Sequence, residues 1–193
     1  MSEEKMERSW IVLKNVPVAY PKVFEATQYM GKGAFTYSAK FVITPGSEHD
    51  KVIREAIQKA AVKGWESKAA VMLKSIDGQS QKYCYLSGDV KEQTAFHGKM
   101  VLTAKRSQKD GAPKVIGRTF DGEGKGIPVK QEEGLLYSGA IVTAKVEIWA
   151  QSKGEGAPGL RCKLLGLQWV SHGEAFVGGG PVTDEGFESV EVE

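Results

Sequence analysis

The chain has 193 residues, of which 41% are apolar, and this is enough for one domain with a hydrophobic core. Its two cysteines lie far apart, its first residues are polar and no apolar run is long enough to span a bilayer, so we expect a cytoplasmic protein with reduced thiols, not a disulfide-bonded secreted scaffold or a membrane protein. All 26 basic residues but only 18 of the 24 acidic ones lie in positions 1–173, and this net charge of +8 favours a polyanionic partner.

Two strands are predicted in the first part of the chain. Alternating and β-branched residues predict a strand from Trp10 to Val18, with Pro17 near its end, where a missing amide does least harm. A second strand from Gly33 to Ile43 alternates more clearly. One of its faces, assigned to the core, carries Phe35, Tyr37, Ala39, Phe41 and Ile43, and the other carries Thr36, Ser38 and Lys40.

The apolar period then changes to that of a helix. Ser47 is a good N-cap, and Asp50 follows it at the spacing of a capping box. Apolar residues recur at helical spacing from Val52 to Ala61, and Gly64 ends the pattern. We predict a helix over 48–63 and a loop over the polar residues 66–82.

Short strands are predicted through the second half of the chain, over 83–87, 100–106, 114–120, 137–151 and 160–170. The even positions from Ala140 to Ala150 are all apolar, so Lys145 and Trp149 on the odd positions face outward. Many short strands, Gly-rich turns and one clear helix are typical of a sandwich or a small barrel. We predict a mainly β chain with one principal α-helix, and a barrel with one helix closing an end and long loops between its strands would be the OB-type arrangement.

The chain ends in a segment with few apolar residues, which cannot offset its ordering entropy. We therefore divide the chain into a domain over 1–177 and a Gly-rich hinge with a flexible acidic tail over 178–193. A tethered acidic tail can occupy the cationic surface that a polyanion needs, although a tail that only aids solubility fits the charge equally well. The candidate functional residues of the tail are Asp184, Glu185, Phe187, Glu188, Glu191 and Glu193.

Basic and aromatic residues alternate on the predicted outward faces. Between positions 91 and 130, nine basic residues stand against four acidic ones. Cations that meet phosphates and rings that stack on unpaired bases suit single-stranded nucleic acid, whereas a solvated basic face over ordinary core aromatics is the alternative. The predicted phosphate contacts are Lys99, Lys105, Arg106, Lys114, Arg118, Lys145, Arg161 and Lys163, and the predicted stacking residues are Trp149, Tyr83 and Tyr85.

Patterns that would indicate catalysis are weak. Asp77, Asp89 and Asp121 could bind Mg²⁺, but each lies where aspartates commonly form turns. No Cys/His spacing matches a zinc site, and the residues around Gly124-Lys125 fail to match a phosphate-binding loop. We predict no catalytic residue, no metal and no cofactor. A small metal-dependent nuclease and a structural β-domain of a virion stay as alternatives.

Five stretches form a recognisable series in chain order: 13–25, 37–43 leading into the Ser47 helix, 137–150, 159–169, and 173–180 before the acidic end. Together they resemble a family of phage and prophage single-stranded DNA-binding proteins. The resemblance implies a mainly β, OB-fold-like five-stranded barrel with one principal α-helix and long loops, sequence-tolerant binding of single-stranded DNA, and a role in phage replication, recombination or repair. It also implies that the acidic tail contacts phage or host replication and recombination proteins. Whether the chain forms a homo-oligomer is left open.

Overall fold

The computed structural model describes residues 10–90, 94–154 and 156–176. In those residues the regular elements, apart from short 3-10 turns, are eight strands and two α-helices. In chain order they are β1 (Trp10–Tyr29), β2 (Lys32–Ile43), α1 (Glu48–Trp65), α2 (Ala69–Ile76), β3 (Tyr85–Ser87), β4 (Met100–Ser107), β5 (Lys114–Phe120), β6 (Gly126–Pro128), β7 (Ile141–Gln151) and β8 (Gly159–Ser171).

Five of these strands close into a barrel. β1 pairs antiparallel with both β2 and β7, β2 pairs with β4, and β7 pairs with β8. A parallel bridge between Lys105 of β4 and Lys163 of β8 completes the ring. β3 extends the sheet beside β4, and the β5–β6 hairpin extends it beside β8. The prediction of a mainly β, OB-type five-stranded barrel with one main helical segment is confirmed.

Inward-facing strand residues fill the barrel. The even positions of β7 are apolar and buried, from Val142 at 0% exposure to Ile148 at 6%. Leu13, Phe41 and Leu164 from neighbouring strands are each 0% exposed, and burying one such side chain is worth about 1.5–3 kcal/mol. The period of two in the sequence therefore identified the inner face of β7 correctly.

β1 is much longer than predicted. Instead of ending near Pro17, it continues to Tyr29. Up to Pro17 it pairs with β7, and from Val18 onward its ladder partner is β2. Pro17 thus lies where the strand changes partner, which is a position where a missing amide donor does little harm.

The helical segment packs against the barrel through one apolar stripe. Ser47 Oγ accepts the Asp50 N–H at 3.3 Å and caps α1, and Ile53 and Ile57 are buried. Trp65 Nε1 donates to the Gln151 carbonyl at 3.2 Å, which ties the end of α1 to β7.

The prediction of a loop over 66–82 is wrong, because α2 occupies Ala69–Ile76. Ala69, Met72, Leu73 and Ile76 continue the apolar stripe at helical spacing and contact the core. Glu66 has a φ of 50°, which breaks the helix between α1 and α2. The polar residues at this break made α2 hard to recognise in the sequence.

A second, smaller apolar cluster lies on the outer face of β1, β2 and β4. Ala19, Val42, Phe96 and Val101 are buried there, and Phe176 packs against them. The Phe176 ring lies 6.4 Å from the Phe96 ring, and the Phe176 N–H donates to the Ser138 carbonyl at 3.0 Å. The last described residue is therefore held on the outside of the barrel.

Candidate nucleic-acid interface

Four lysines share the outward faces of four adjacent barrel strands. Lys22 is the ladder partner of Ser38, Ser38 of Lys105, and Lys105 of Lys163. Lys40 lies on the same face of β2, two residues beyond Ser38. Neighbouring strands are about 4.8 Å apart, so the backbone distance from Lys22 to Lys163 is about 14 Å. We call Lys22, Lys40, Lys105 and Lys163 the lysine band.

The lysine band has an excess of positive charge. Lys163 Nζ lies 2.9 Å from Asp110 Oδ2, and this pair holds the pKa of Asp110 below its usual value. Within the described part of the chain, neither Lys22 nor Lys105 has a carboxylate in ion-pair contact. The Lys40 ammonium lies 5.3 Å from the centre of the Tyr20 ring and 6.0 Å from that of Phe96, so it borders the outer apolar cluster.

A second cationic group adjoins the lysine band along β8. Lys145 and Lys114 are the ladder partners of Gly166 on its two sides. A Cβ on Gly166 would lie 2.8 Å from the Lys114 carbonyl oxygen, so only glycine lets β5 approach this closely. Lys145 Nζ lies 3.9 Å from the centre of the Trp10 ring. Gly166, where this group lies, is three positions along β8 from Lys163.

The ladder pair of Trp149 and Arg161 lies two positions along β8 from Lys163. Trp149 is 39% exposed and is the ladder partner of Arg161. The Arg161 guanidinium donates to Gln151 Oε1 at 2.8 Å and to the Gln81 and Ala157 carbonyls. Arg161 therefore holds the loop after β7 in place, beside an indole ring that is open to solvent.

The remaining predicted cations are not part of the lysine band. The Arg106 guanidinium donates to the Gly111 and Asp110 carbonyls at 2.7 Å, and these hydrogen bonds stabilise the turn after β4. Lys99 Nζ donates to Thr44 Oγ1 at 3.3 Å and is six residues from Lys105, about 20 Å along an extended strand. The Arg118 guanidinium lies 5.0 Å from the centre of the Trp169 ring.

The two tyrosines have different surroundings from those predicted. Tyr85 is 1% exposed, and its hydroxyl donates to Asp50 Oδ1 at 2.7 Å. Because a buried ring presents no face to a base, we correct the prediction and remove Tyr85 from the stacking residues. Tyr83 is partly buried beside Leu160, and burial raises its pKa.

Asp50 is the acceptor at the centre of a buried polar network. The Gly46 N–H donates to Oδ2 at 2.8 Å, and Arg54 Nε donates to Oδ1 at 2.8 Å. Burial by itself raises the pKa of Asp50, but these hydrogen bonds, that from Tyr85 and the charge of Arg54 outweigh it and hold the pKa below 3.8. The network fixes the start of α1 to β3 and has a structural function.

Sequence reasoning missed Lys22 and Lys40 and misplaced Phe35. The signal for Lys40 was present, because it shares a predicted outward face with Thr36 and Ser38. Phe35 was assigned to the core with Tyr37 and Phe41, yet it is 45% exposed, whereas Phe41 is 0% exposed. The alternation is continuous, but the β1–β2 ladder continues past the point where β4 stops, so the end of the strand has no core to face.

Two further features bear on function. Among residues 10–90, 94–154 and 156–176, no cluster of His, Cys, Asp and Glu is arranged to hold a metal ion. No helix in the same residues has both the length and the apolar composition to cross a membrane.

Burial raises the pKa of the Cys84 thiol to about 12 and that of Cys162 well above 9.0, so both thiols stay protonated near neutral pH. The predicted tail residues, 184–193, lie outside the described residues.

Comparison with known proteins decides the family. The family model described as the ssDNA-binding protein of Enterobacter phage Enc34 matches residues 9–193. The chain belongs to this family. Protein p50 of Acyrthosiphon pisum secondary endosymbiont phage 1 is 33% identical over 183 residues, which cover 93% of each chain.

Solved structures share the fold at lower sequence identity. The Enc34 single-stranded DNA-binding protein in complex with ssDNA is 19% identical, with a TM-score of 0.67 over 88% of this chain and 90% of that one. Bacteriophage T7 gp2.5, a single-stranded DNA-binding protein, is 13% identical, with a TM-score of 0.52 over 94% of this chain and 98% of that one. These likenesses show a common barrel architecture.

Proposed function

We propose that this chain binds single-stranded DNA across the lysine band without strong sequence preference. It protects and organises the strand in the host cytoplasm during phage replication, recombination or repair, and it catalyses no reaction. Membership of a phage ssDNA-binding family supports this function. The observation that carries it is the ladder that aligns Lys22, Ser38, Lys105 and Lys163 on one outward face.

The outward face of the second and third barrel strands, here β2 and β4, is where OB-type barrels bind oligonucleotides. Lysines on that face neutralise phosphates and release counterions, and this contribution does not depend on base identity. Lys114 and Lys145 extend the cationic surface along β8, and Arg118 lies further along β5. Trp149 is our candidate for base stacking, because it is the exposed ring next to Lys163 and Arg161. Tyr83 is a secondary candidate.

The acidic tail is proposed to compete with DNA and to recruit partner proteins. Phe176 is packed on the outer cluster, whose Phe96 lies 6.0 Å from the Lys40 ammonium. Phe176 therefore lies beside the lysine band, and we propose that the acids that follow it in the chain reach this surface. The same acids, with Phe187, would be available to phage or host replication and recombination proteins once DNA displaces them.

Replacing Lys105 by Gln tests the interface. We expect Lys105→Gln to weaken binding of a labelled oligo-dT several-fold and to lower the slope of log affinity against log salt by about 0.7, the value for one phosphate contact on a single strand. Lys59→Gln removes the same charge from α1, which is not part of the lysine band, and should change neither quantity. Fluorescence anisotropy over a salt series measures both.

The results separate the alternatives. Equal effects of the two variants would mean that only net charge matters and that the lysine band is not the interface. A wild-type protein that does not bind the oligomer would favour a structural β-domain. Cleavage of the labelled strand when Mg²⁺ or Mn²⁺ is added would favour a nuclease, whereas a pure binding protein leaves it intact.

A further inference from the structure

The β1–β2 hairpin ends in exposed apolar residues. The last ladder pair before its turn is Tyr29 with Lys32, beyond the point where β4 stops pairing with β2 at Thr36. Tyr29 is 78% exposed, Met30 81% and Phe35 45%. We call these three residues the hairpin tip. Apolar side chains concentrated at an exposed position commonly mark an interaction surface.

The backbone conformation of the turn residue Met30 is unfavourable for a methionine. Met30 has a φ of 49° and Gly31 one of 68°, so both central residues of this two-residue turn have positive φ, as type I′ turns require. Asn or Gly is preferred at the first of these positions, and another residue type there costs about 1–3 kcal/mol. A strained residue that is also almost fully exposed is better explained by a contact with a partner than by folding.

A groove of about 210 Å³ lies in the β5–β6 region, on strands other than those of the hairpin. Its apolar lining includes Ile127, Val129, Leu135 and Trp169, and Arg118 and Glu133 supply charge. Trp169 Nε1 is buried and has no hydrogen-bond acceptor among the described residues. An unpaired buried donor costs about 1–3 kcal/mol, which a partner carrying an acceptor would recover.

We propose that the hairpin tip of one copy seats in this groove on the next copy bound to the same DNA strand. This inference rests on the proposed function. A flexible thioether such as that of Met30 fills irregular apolar gaps and packs well on an aromatic ring such as Trp169. In this contact the Arg118 guanidinium stacks on the Tyr29 ring, and the Lys32 ammonium pairs with the Glu133 carboxylate. A carbonyl of the hairpin accepts a hydrogen bond from Trp169 Nε1.

The placement of the two surfaces determines what kind of assembly results. The tip and the groove are different surfaces, on the β1–β2 hairpin and in the β5–β6 region, so each copy offers both at once. A contact between two different surfaces is heterologous, and it extends as an open array wherever successive rotations do not close a ring. An open array matches a linear polymer, and it makes binding along the strand cooperative.

Met30→Asn tests the contact without threatening the fold, because Asn tolerates the left-handed conformation of this turn better than Met does. On long poly-dT, we expect the variant to need about tenfold more protein for half-saturation, the equivalent of about 1.4 kcal/mol per contact. On an oligomer that holds one copy, its affinity should equal that of the wild type. Val71→Ser removes an equally exposed apolar side chain, 72% exposed on α2, and should change neither measurement.

Cross-linking tests the geometry directly. A Met30→Cys, Ile127→Cys double variant should form disulfide-linked multimers on long poly-dT and stay monomeric on the short oligomer. Replacing Ile127→Cys by Val71→Cys should abolish the multimers, and the native Cys84 and Cys162 are buried and give no background.

Several results would overturn the inference. If Met30→Asn weakens binding to the short oligomer, the tip contacts DNA and not a second copy. Cooperative binding without cross-links places the contact between copies elsewhere. A wild-type protein that binds neither DNA length refutes the proposed function itself, whereas noncooperative wild-type binding refutes only this contact.

Discussion

At the scale of single residues, Asp50 shows how one carboxylate links three elements. It accepts hydrogen bonds from Gly46 before α1, from Arg54 within α1 and from Tyr85 in β3. Its pKa is lowered in the folded protein, so the ionised form stabilises the fold. That contribution is fully present above the unfolded pKa of about 3.9, and it is lost as the pH falls through the lower folded value.

Asp50→Asn should therefore destabilise the domain by about 1–3 kcal/mol at pH 7, because hydrogen bonds to a charged acceptor are lost in a buried position. Urea denaturation at several pH values measures the effect. The difference from the wild type should shrink as the pH falls below 4. Asp77→Asn, on the exposed turn after α2, should cost little at any pH; equal losses in the two variants would contradict the structural function of Asp50.

Residue-level prediction from sequence succeeded where the strand period was regular. Trp149 was placed outward because the opposite face of β7 was entirely apolar, and it is exposed. Tyr85 could not be placed in the same way, because its strand has only three residues and its burial depends on a contact with Asp50, 35 positions away. Long-range hydrogen bonds of this kind leave no local pattern in the sequence.

At the scale of elements, the parallel pairing of β5 with β8 depends on Gly166. Gly166→Ala would push the new Cβ to 2.8 Å from the Lys114 carbonyl oxygen, so the strands must separate. We expect a loss of about 1–3 kcal/mol in unfolding free energy, which is typical of overpacking. Thermal denaturation tests it against Gly122→Ala, where nothing lies within 4 Å. An unchanged melting temperature for Gly166→Ala would show that the strands do not require this close approach.

Element boundaries were predicted less well than element types. The β1 boundary was wrong because Pro17 marks a change of ladder partner, which looks in sequence like the end of a strand. α2 was missed because a single break at Glu66 separates its apolar stripe from that of α1. In both cases a local irregularity in the sequence was interpreted as the end of a strand or of the helical segment. Tertiary contacts stabilise the regular structure on both sides of that irregularity.

At the scale of the whole molecule, the acidic tail should control access to the lysine band. We expect removal of residues 181–193 to tighten binding of oligo-dT, most strongly at low salt, where exposed charges interact over longer distances. A full-length variant with the tail acids replaced by Asn and Gln should bind as tightly as the truncated protein. Anisotropy titrations measure both, and unchanged affinity in the two proteins would show that the tail does not compete.

The architecture was predictable from the sequence, but the proposed interface was only partly so. Strand and helix types gave the barrel class, and the basic excess indicated a polyanion. The order of strands around the barrel brings Lys105 and Lys163 together although they are 58 positions apart in the sequence. No local sequence pattern indicates that these two residues are neighbours. Lys22 and Lys40 join them for the same reason, so the lysine band became visible only with the topology.

The parallel bridge that closes the barrel has an energetic consequence. It places Lys105 and Lys163 directly opposite each other at the seam of the barrel, and like charges on opposite residues repel. Asp110 pairs with Lys163 and offsets part of this repulsion. If DNA binds there as we propose, a phosphate at the seam would offset the rest, and ligand binding would then also stabilise the closure of the barrel.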